Sequence, residues 1–291
     1  MLSYRHAFHA GNHADVLKHI ALSAMLEHLR KKDKPLLMVD THAGGGLYRL
    51  DSEPAQKLAE FQDGIGRIWQ TEVRTDSLPR AVEAYLTAVQ ALNPAGKLRQ
   101  YPGSPWFFRR ALRASDTARF FELHPNEYKL LKANLSANKD GKLIVARDDG
   151  LNALKSLLPP PSRRALVLID PSYEVRAEYG AVENALREAV KRFATGVYAV
   201  WYPEIDLLEA REFLPRLKKL AGNASPREIP WLAATLKVRS AGQGGFSGMR
   251  GSGLFVLNPP WPLMEALQEA LPWLAARLGQ DEGADSSLTS G

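Results

Sequence analysis

Leu166-Val167-Leu168-Ile169 is an unbroken apolar run that stops at Asp170-Pro171. A strand without polar alternation is buried on both faces, as in a parallel sheet covered by helices on each side. Pro171 lacks a backbone donor and cannot carry a central strand onward. A carboxylate (Asp170), a free carbonyl (Pro171) and a tyrosine ring (Tyr173) therefore converge just past the strand's carboxyl end. In open α/β sheets that edge is where ligands bind.

Short apolar runs of the same kind recur at Leu36–Asp40, Arg119–Glu122, Leu143–Ala146, Val197–Tyr202, Leu232–Val238 and Leu254–Leu257. Pro203 is expected to end the Val197 run. Helical periodicity separates most of these strands, and the alternation predicts an α/β, Rossmann-like chain with seven strands. Residues 1–280 read as one domain opened by an arm and helix over 1–35. Asn12 is the expected N-cap of that helix, and Arg30-Lys31-Lys32 suit its C-terminal dipole. Ser104 is the expected cap of a second helix starting at Pro105 and carrying Arg109, Arg110 and Arg113. Those arginines are either a solvated face or phosphate contacts.

Two helical patterns, Ala55–Trp69 and Pro79–Leu92, interrupt the alternation. Residues 50–103 are therefore expected to form a helical insertion between the first and second strands, for substrate recognition or as a solvated excursion. Six glycines punctuate Ser240–Gly253, a loop that is either an adaptable lip of the site or disordered. Residues 281–291 are acidic, then rich in serine, and are expected to be disordered.

No cysteine occurs, which excludes disulfides, thiolate metal sites and cysteine nucleophiles. Lysine and arginine total 38 against 32 acids, a balance that permits a polyanionic partner without demanding one. Neither a signal-peptide core nor a run approaching ~20 apolar residues is present, so the chain is expected to be soluble, cytoplasmic and free of membrane contact. His6, His9, His13 and His19 do not have the spacing of a tight metal site. An arm facing a ligand or RNA is the stronger reading, and no metal is expected. A monomer is the default, since no helix shows a spare apolar face.

Asp170-Pro171-Ser172-Tyr173 resembles the (Asp/Asn/Ser)-Pro-Pro-(Tyr/Phe) signature of amino-group methyltransferases that use S-adenosylmethionine. An adenine amino group is a poor nucleophile because its lone pair is delocalised into the ring. Two acceptors that hold its hydrogens favour the pyramidal form that attacks a methyl group, and an aromatic ring can stack on the base. Gly44-Gly45-Gly46 after the first strand permits close backbone approach to a ligand or tight packing. Glu122, ending the second strand, stands where such sheets hold ribose hydroxyls.

The resemblance narrows on longer blocks. Tyr4 to His19, Asp40-Thr41-His42-Ala43-Gly44, Tyr101-Pro102-Gly103-Ser104-Pro105, Glu122-Leu123-His124-Pro125, Arg192 to Gly196, Trp201-Tyr202-Pro203 and Asn258-Pro259-Pro260-Trp261 closely resemble the RlmJ family. That family methylates the N6 amino group of an adenine in 23S ribosomal RNA. The resemblance implies a seven-stranded adenosylmethionine-dependent fold, with Asp170 as catalytic acceptor and Tyr173 as the stacking ring. His19, His42, Ser104, Glu122, Asp149, Gly150 and Asp170 fall on cofactor-contacting positions, and Tyr4 on the substrate opening. Asp149 fits the cofactor's adenine amino group, the glycine turn its methionine end, and Lys18 the methionine carboxylate. DNA adenine or protein glutamine methylation, and RNA binding without catalysis, are the alternatives. Ser172 replaces the family's second proline, which either loosens the loop or adds a hydrogen bond. The enzymatic reading also requires that Asp170 not be tucked into an internal ion pair.

Overall fold

The computed structural model describes residues 4–69, 78–135, 142–224, 228–240 and 248–291. Asn12 caps α1 (His13–Arg30), its side chain accepting from the N–H groups of Ala14 and Asp15. There follow β1 (Leu37–Asp40), β2 (Leu47–Arg49), α2 (Glu53–Leu58), α3 (Ile65–Trp69), α4 (Arg80–Gln90) and β3 (Gln100–Pro102). Alternation then takes over with α5 (Ser104–Ala111), β4 (Thr117–Phe121), α6 (Pro125–Leu135), β5 (Lys142–Ala146), α7 (Gly150–Leu157), β6 (Ala165–Ile169), α8 (Ala177–Arg192) and β7 (Val197–Glu204). The chain closes with α9 (Leu208–Gly222), β8 (Trp231–Lys237), β9 (Gly251–Leu257), α10 (Pro262–Leu278) and β10 (Asp285–Ser290).

The main sheet has the order β5-β4-β1-β6-β7-β9-β8-β10. Strands β5 to β7 run parallel, whereas β9 is antiparallel to both β7 and β8. β6 shows why its sequence lacks alternation. Leu166 and Leu168 pack into the layer built on α1, α5 and α10, while Val167 and Ile169 face the layer of α7, α8 and α9. The order reverses beside β1, which opens a crevice at the carboxyl edge between β4 and β6.

Four expectations need correction. The segment expected to be a disordered tail forms β10, an eighth strand antiparallel to β8. Its hydrogen bonds are main-chain bonds, so a polar composition does not forbid an edge strand. Pro203 does not end β7. β6 pairs with β7 only as far as Val200, so from Trp201 onward the described strand pairing of β7 is with β9, and a proline is tolerated on the unpaired side. Ser104 is not a cap: Gly103 holds that place, and Ser104 opens the helix with its hydroxyl turned to Asp40.

The insertion, finally, is not wholly helical. β2 and β3 form an antiparallel ribbon, and Ala59 at φ +52° splits the first helical pattern into α2 and α3. Val82, Tyr85 and Val89 of α4 join the same apolar cluster as α1 and α10, so the described residues of the insertion share the main core.

Candidate active site

A cavity of about 460 Å³ opens at the carboxyl edge of β1, β4 and β6. Tyr4, His19, His42, Ser104, Glu122, Asp149, Gly150, Asp170 and Tyr173 all line it, with Lys18 and Gly44. Residues spread over 170 positions of sequence are thus brought to one crevice by the parallel order, which sends each strand's end to the same side.

The glycine turn after β1 forms one wall. Gly44 takes φ +58°, and a Cβ there would stand 2.3 Å from the Tyr48 hydroxyl, so only glycine fits. Glu122 braces the turn: its Oε2 accepts from the Gly44 N–H at 2.8 Å and its Oε1 from the His124 N–H at 2.7 Å. Burial raises the Glu122 carboxyl above its usual range, against the pull of those two donors. Opposite, Asp149 caps α7, accepting from the Asn152 N–H at 3.0 Å and its side-chain amide at 2.7 Å. A Cβ on Gly150 would lie 2.3 Å from the Thr41 carbonyl oxygen, so glycine lets α7 abut the end of β1.

Two buried carboxylates that sequence reasoning left without a role lie at the ends of β1 and α1. Asp40 accepts from the Ser104 hydroxyl at 2.6 Å and the His42 N–H at 3.2 Å, and burial pushes its carboxyl up to about 7. Asp15 is the hub of the arm. It accepts from Gly11 N–H at 2.9 Å, meets His6 Nε2 at 2.9 Å and binds Lys18 Nζ at 2.7 Å. Burial would raise the Asp15 carboxyl, but its contacts with His6 and Lys18 hold it well below the usual carboxylate range. A signal was available: Asp15, Lys18 and His19 share one helix face at i, i+3 and i+4 in an otherwise apolar pattern.

Lys18 is committed elsewhere than expected. Its Nζ reaches Asp170 Oδ2 at 2.6 Å as well as Asp15, so it is not a spare cation for a methionine carboxylate. Asp170 is therefore ion-paired, yet the pair sits in the cavity wall and not behind it. Among the described residues only Oδ2 is bonded, and the Asp170 side chain keeps 13% of its exposure. Burial raises its carboxyl while Lys18 pulls it down. Beyond Asp15 the chain of contacts runs through His6, whose Nδ1 lies 2.8 Å from the Tyr4 hydroxyl. The Tyr4 ring stacks on His9, and the Tyr4 N–H donates to Glu174, which closes the arm over the loop after β6.

The four histidines of the arm and α1 go separate ways. His6 pairs with Asp15, His9 with Glu60, and His13 is buried. His19 Nδ1 meets the Tyr101 hydroxyl at 3.0 Å, which in turn meets that of Tyr85. Its Nε2 is buried with no hydrogen bond, and burial drives its pKa well below the usual value, so the ring is neutral. His42 is likewise lowered, to about 4. Glu127, another cavity residue not singled out from sequence, has both carboxylate oxygens buried and without a hydrogen bond, with Arg5 Nε 3.7 Å away.

Tyr173 is only 4% exposed. Its hydroxyl donates to the Trp201 carbonyl at 2.8 Å, and its ring packs on Tyr179 at 4.4 Å and edge-on to Phe213. It does so from φ +53°, a left-handed conformation costing about 1–2 kcal/mol for a non-glycine residue. The tyrosine, more than Ser172, therefore fixes this loop; among the described residues Ser172 Oγ makes only long contacts of 3.4 Å to Glu178 and to the Glu174 N–H. Gly248 and Met249 of the glycine-rich loop reach the cavity. Residues 241–247 of that loop lie outside the described residues. Arg109, Arg110 and Arg113 have local partners: the Asn134 carbonyl, the Trp106 ring and Asp116.

A Rossmann-like sheet with a glycine turn after its first strand, an acid closing the second and Asp-Pro-Ser-Tyr closing the fourth defines an α/β methyltransferase. A family model described as "Ribosomal RNA large subunit methyltransferase D, RlmJ" matches residues 33–288. Ribosomal RNA large subunit methyltransferase J of Escherichia coli K12 is 45% identical over 278 residues, covering 96% of this chain and 94% of the relative. The protein of the same name from Haemophilus influenzae is 44% identical over equal shares. The crystal structure of protein LPL1258 from Legionella pneumophila superposes with a TM-score of 0.84 at 34% identity, over 97% of this chain and 98% of that one. The chain belongs to the RlmJ family of ribosomal RNA large-subunit methyltransferases.

Proposed function

We propose that the chain methylates the N6 amino group of an adenine in 23S ribosomal RNA, using S-adenosylmethionine, as a cytoplasmic monomer that needs no metal. The observation that carries this reading is the Asp170 carboxylate, with Oδ1 free of hydrogen bonds among the described residues, in the same cavity wall system as the glycine turn and Glu122. The cavity also fits the cofactor's chemistry. Glu122 and Asp149 are acceptors for ribose hydroxyls and an adenine amino group, His19 Nε2 is a buried atom in want of a partner, and the Glu127 carboxyl, without a hydrogen bond and with only Arg5 at 3.7 Å, stands beside the glycine turn.

When bound, S-adenosylmethionine supplies a methyl group already activated as a sulfonium, so the protein's task is positioning and desolvation. The Asp170 carboxylate and the Pro171 carbonyl accept the two hydrogens of the target amine. Tyr173, locked by its hydroxyl and neighbours, holds the base by stacking without having to order its own ring first. An aromatic amine is not deprotonated at neutral pH; its proton becomes acidic only as the new N–C bond forms, and Asp170 takes it then. Lys18 keeps that acceptor anionic against the effect of burial. The insertion reaches the cavity through Glu60 and Gly103, which suits a part in holding substrate.

The test is transfer of tritium from methyl-labelled S-adenosylmethionine to 23S RNA, plasmid DNA and ribosomal protein in parallel. Incorporation into RNA alone, recovered as N6-methyladenosine, is expected. Label on DNA or protein overturns the substrate assignment, and binding of RNA with no label overturns catalysis.

A further inference from the structure

Asn258-Pro259-Pro260-Trp261 repeats the pattern of the active-site tetrad but cannot join it. It follows β9, which runs antiparallel to β7, so it leaves the sheet at the amino edge, where β1, β6 and β7 begin. Five residues of β6 separate the two edges by roughly 17 Å. Trp261 is 76% exposed, the most exposed large apolar side chain among the described residues.

The backbone that carries the indole is held firmly. Asn258 donates its side-chain amide to the carbonyls of Ala194 and Gly196, each at 2.7 Å, and its N–H to Pro230. Prolines flank the tryptophan on both sides, Leu263 N–H closes a turn on Pro260, and the His28 ring meets the indole edge-on at 6.0 Å. A single exposed apolar residue is unremarkable. A pre-ordered one beside cations is a stacking platform, because little side-chain entropy is lost when a base settles on it.

Cations flank it on both sides. His28 leads into Arg30, Lys31, Lys32 and Lys34, all exposed, and the Ala194 contact follows Lys191 and Arg192 at the end of α8. The 29–34 turn is held from behind: Arg164 donates to the carbonyls of Leu29, Lys32 and Lys34, and Arg113 to those of Arg30, Lys32 and Lys34. Among the described residues, Arg30, Lys31, Lys32, Lys34 and Arg192 form no ion pair. Helix dipoles account for one cation at each helix end; they do not account for Arg30, Lys31, Lys32 and Lys34, four cations around the single acid Asp33, beside an exposed indole.

We propose that this amino edge is a second RNA-binding surface, on which an unpaired base stacks on Trp261 while the Lys31–Lys34 turn and Arg192 hold flanking phosphates. The inference rests on the function proposed above, and it makes the enzyme sensitive to RNA well beyond the target nucleotide. A short RNA that fills the cavity does not reach this edge.

The test compares a long 23S fragment with a short hairpin carrying the same target adenine, using Trp261→Ala, Trp261→Phe and the double variant Lys31→Glu/Lys32→Glu. None of these residues touches the cavity. For the long RNA, Trp261→Ala is expected to raise KM roughly 5-fold or more, the loss of one stacked base. The double variant lowers the salt dependence of binding by a slope of about 2. Trp261→Phe restores most of the affinity, and KM for the hairpin, kcat and the melting midpoint stay unchanged. Unchanged KM on the long fragment, or an equal rise on both RNAs, overturns the proposal, as does a loss seen only when ribosomal proteins are present, which would assign the edge to a protein. If the wild type methylates neither RNA, the functional reading fails by itself, and filter binding of the long fragment still reads the surface.

Discussion

Replacing Lys18 by methionine removes the cation between Asp15 and Asp170 while keeping most of the side chain's bulk. At 2.6 Å, a unit pair in an effective dielectric of about 20 attracts by about 6 kcal/mol before desolvation is counted. Breaking a buried pair from one side typically costs about 3–5 kcal/mol, because the remaining charge is stranded. Here protonation offers relief. With Lys18 gone, the Asp170 carboxyl, already raised by burial, rises further. A carboxyl whose folded pKa lies above its unfolded value favours the folded state below the unfolded pKa, and that contribution is lost as pH climbs through the folded one. The penalty of Lys18→Met is therefore smallest near pH 5 and largest near pH 8, by about 1–3 kcal/mol across that span. The acid limb of turnover moves to higher pH in step, since a protonated Asp170 cannot accept the amine's hydrogen. Melting curves and pH–rate profiles of both proteins measure this. A penalty that does not vary with pH, together with an unmoved acid limb, would refute the claim that Lys18 holds Asp170 ionised.

Glu127→Gln should weaken binding of S-adenosylhomocysteine by about 10-fold, the scale of one charge-assisted contact, and leave 5′-methylthioadenosine, which lacks the amino-acid end, unaffected; equal losses by calorimetry would remove Glu127 from the methionine end. Gly150→Ala drives a methyl group into the Thr41 carbonyl and should destabilise the fold by about 1–3 kcal/mol, read as a lower urea midpoint. Asp40, pushed up to about 7, must ionise in a buried site as pH rises. Wild-type stability should accordingly fall from pH 5 to 8 more steeply than that of Asp40→Asn, and parallel stability curves would show that Asp40 does not titrate there.

How far these features could be read from sequence followed the range of the forces involved. β6 was legible because burial on both faces leaves a continuous apolar run, and the Asn12 cap because its partners are two and three residues away. β10 was not, since its pairing with β8 is made by main-chain groups that composition does not report. Pro203 misled for a related reason: whether a strand tolerates proline depends on which side is hydrogen-bonded, and that is set by where β6 ends. The spacing of Asp15, Lys18 and His19 was an unread sign of a polar face on α1, but Lys18's second partner lies 152 residues on and emerges only from the sheet order. Glu127 carried no local signal at all; it stands out only when its carboxylate is found buried and without a hydrogen bond.

The central claim is that the Asp170 carboxylate takes up the hydrogens of the amine being methylated. The most direct measurement is single-turnover methyl transfer to 23S RNA by Asp170→Ala, beside calorimetric binding of S-adenosylhomocysteine. The account predicts that transfer slows by about 100-fold or more while the dissociation constant moves by less than about 3-fold. Transfer within about 10-fold of the wild-type rate, with the cofactor product bound as well as before, would contradict it.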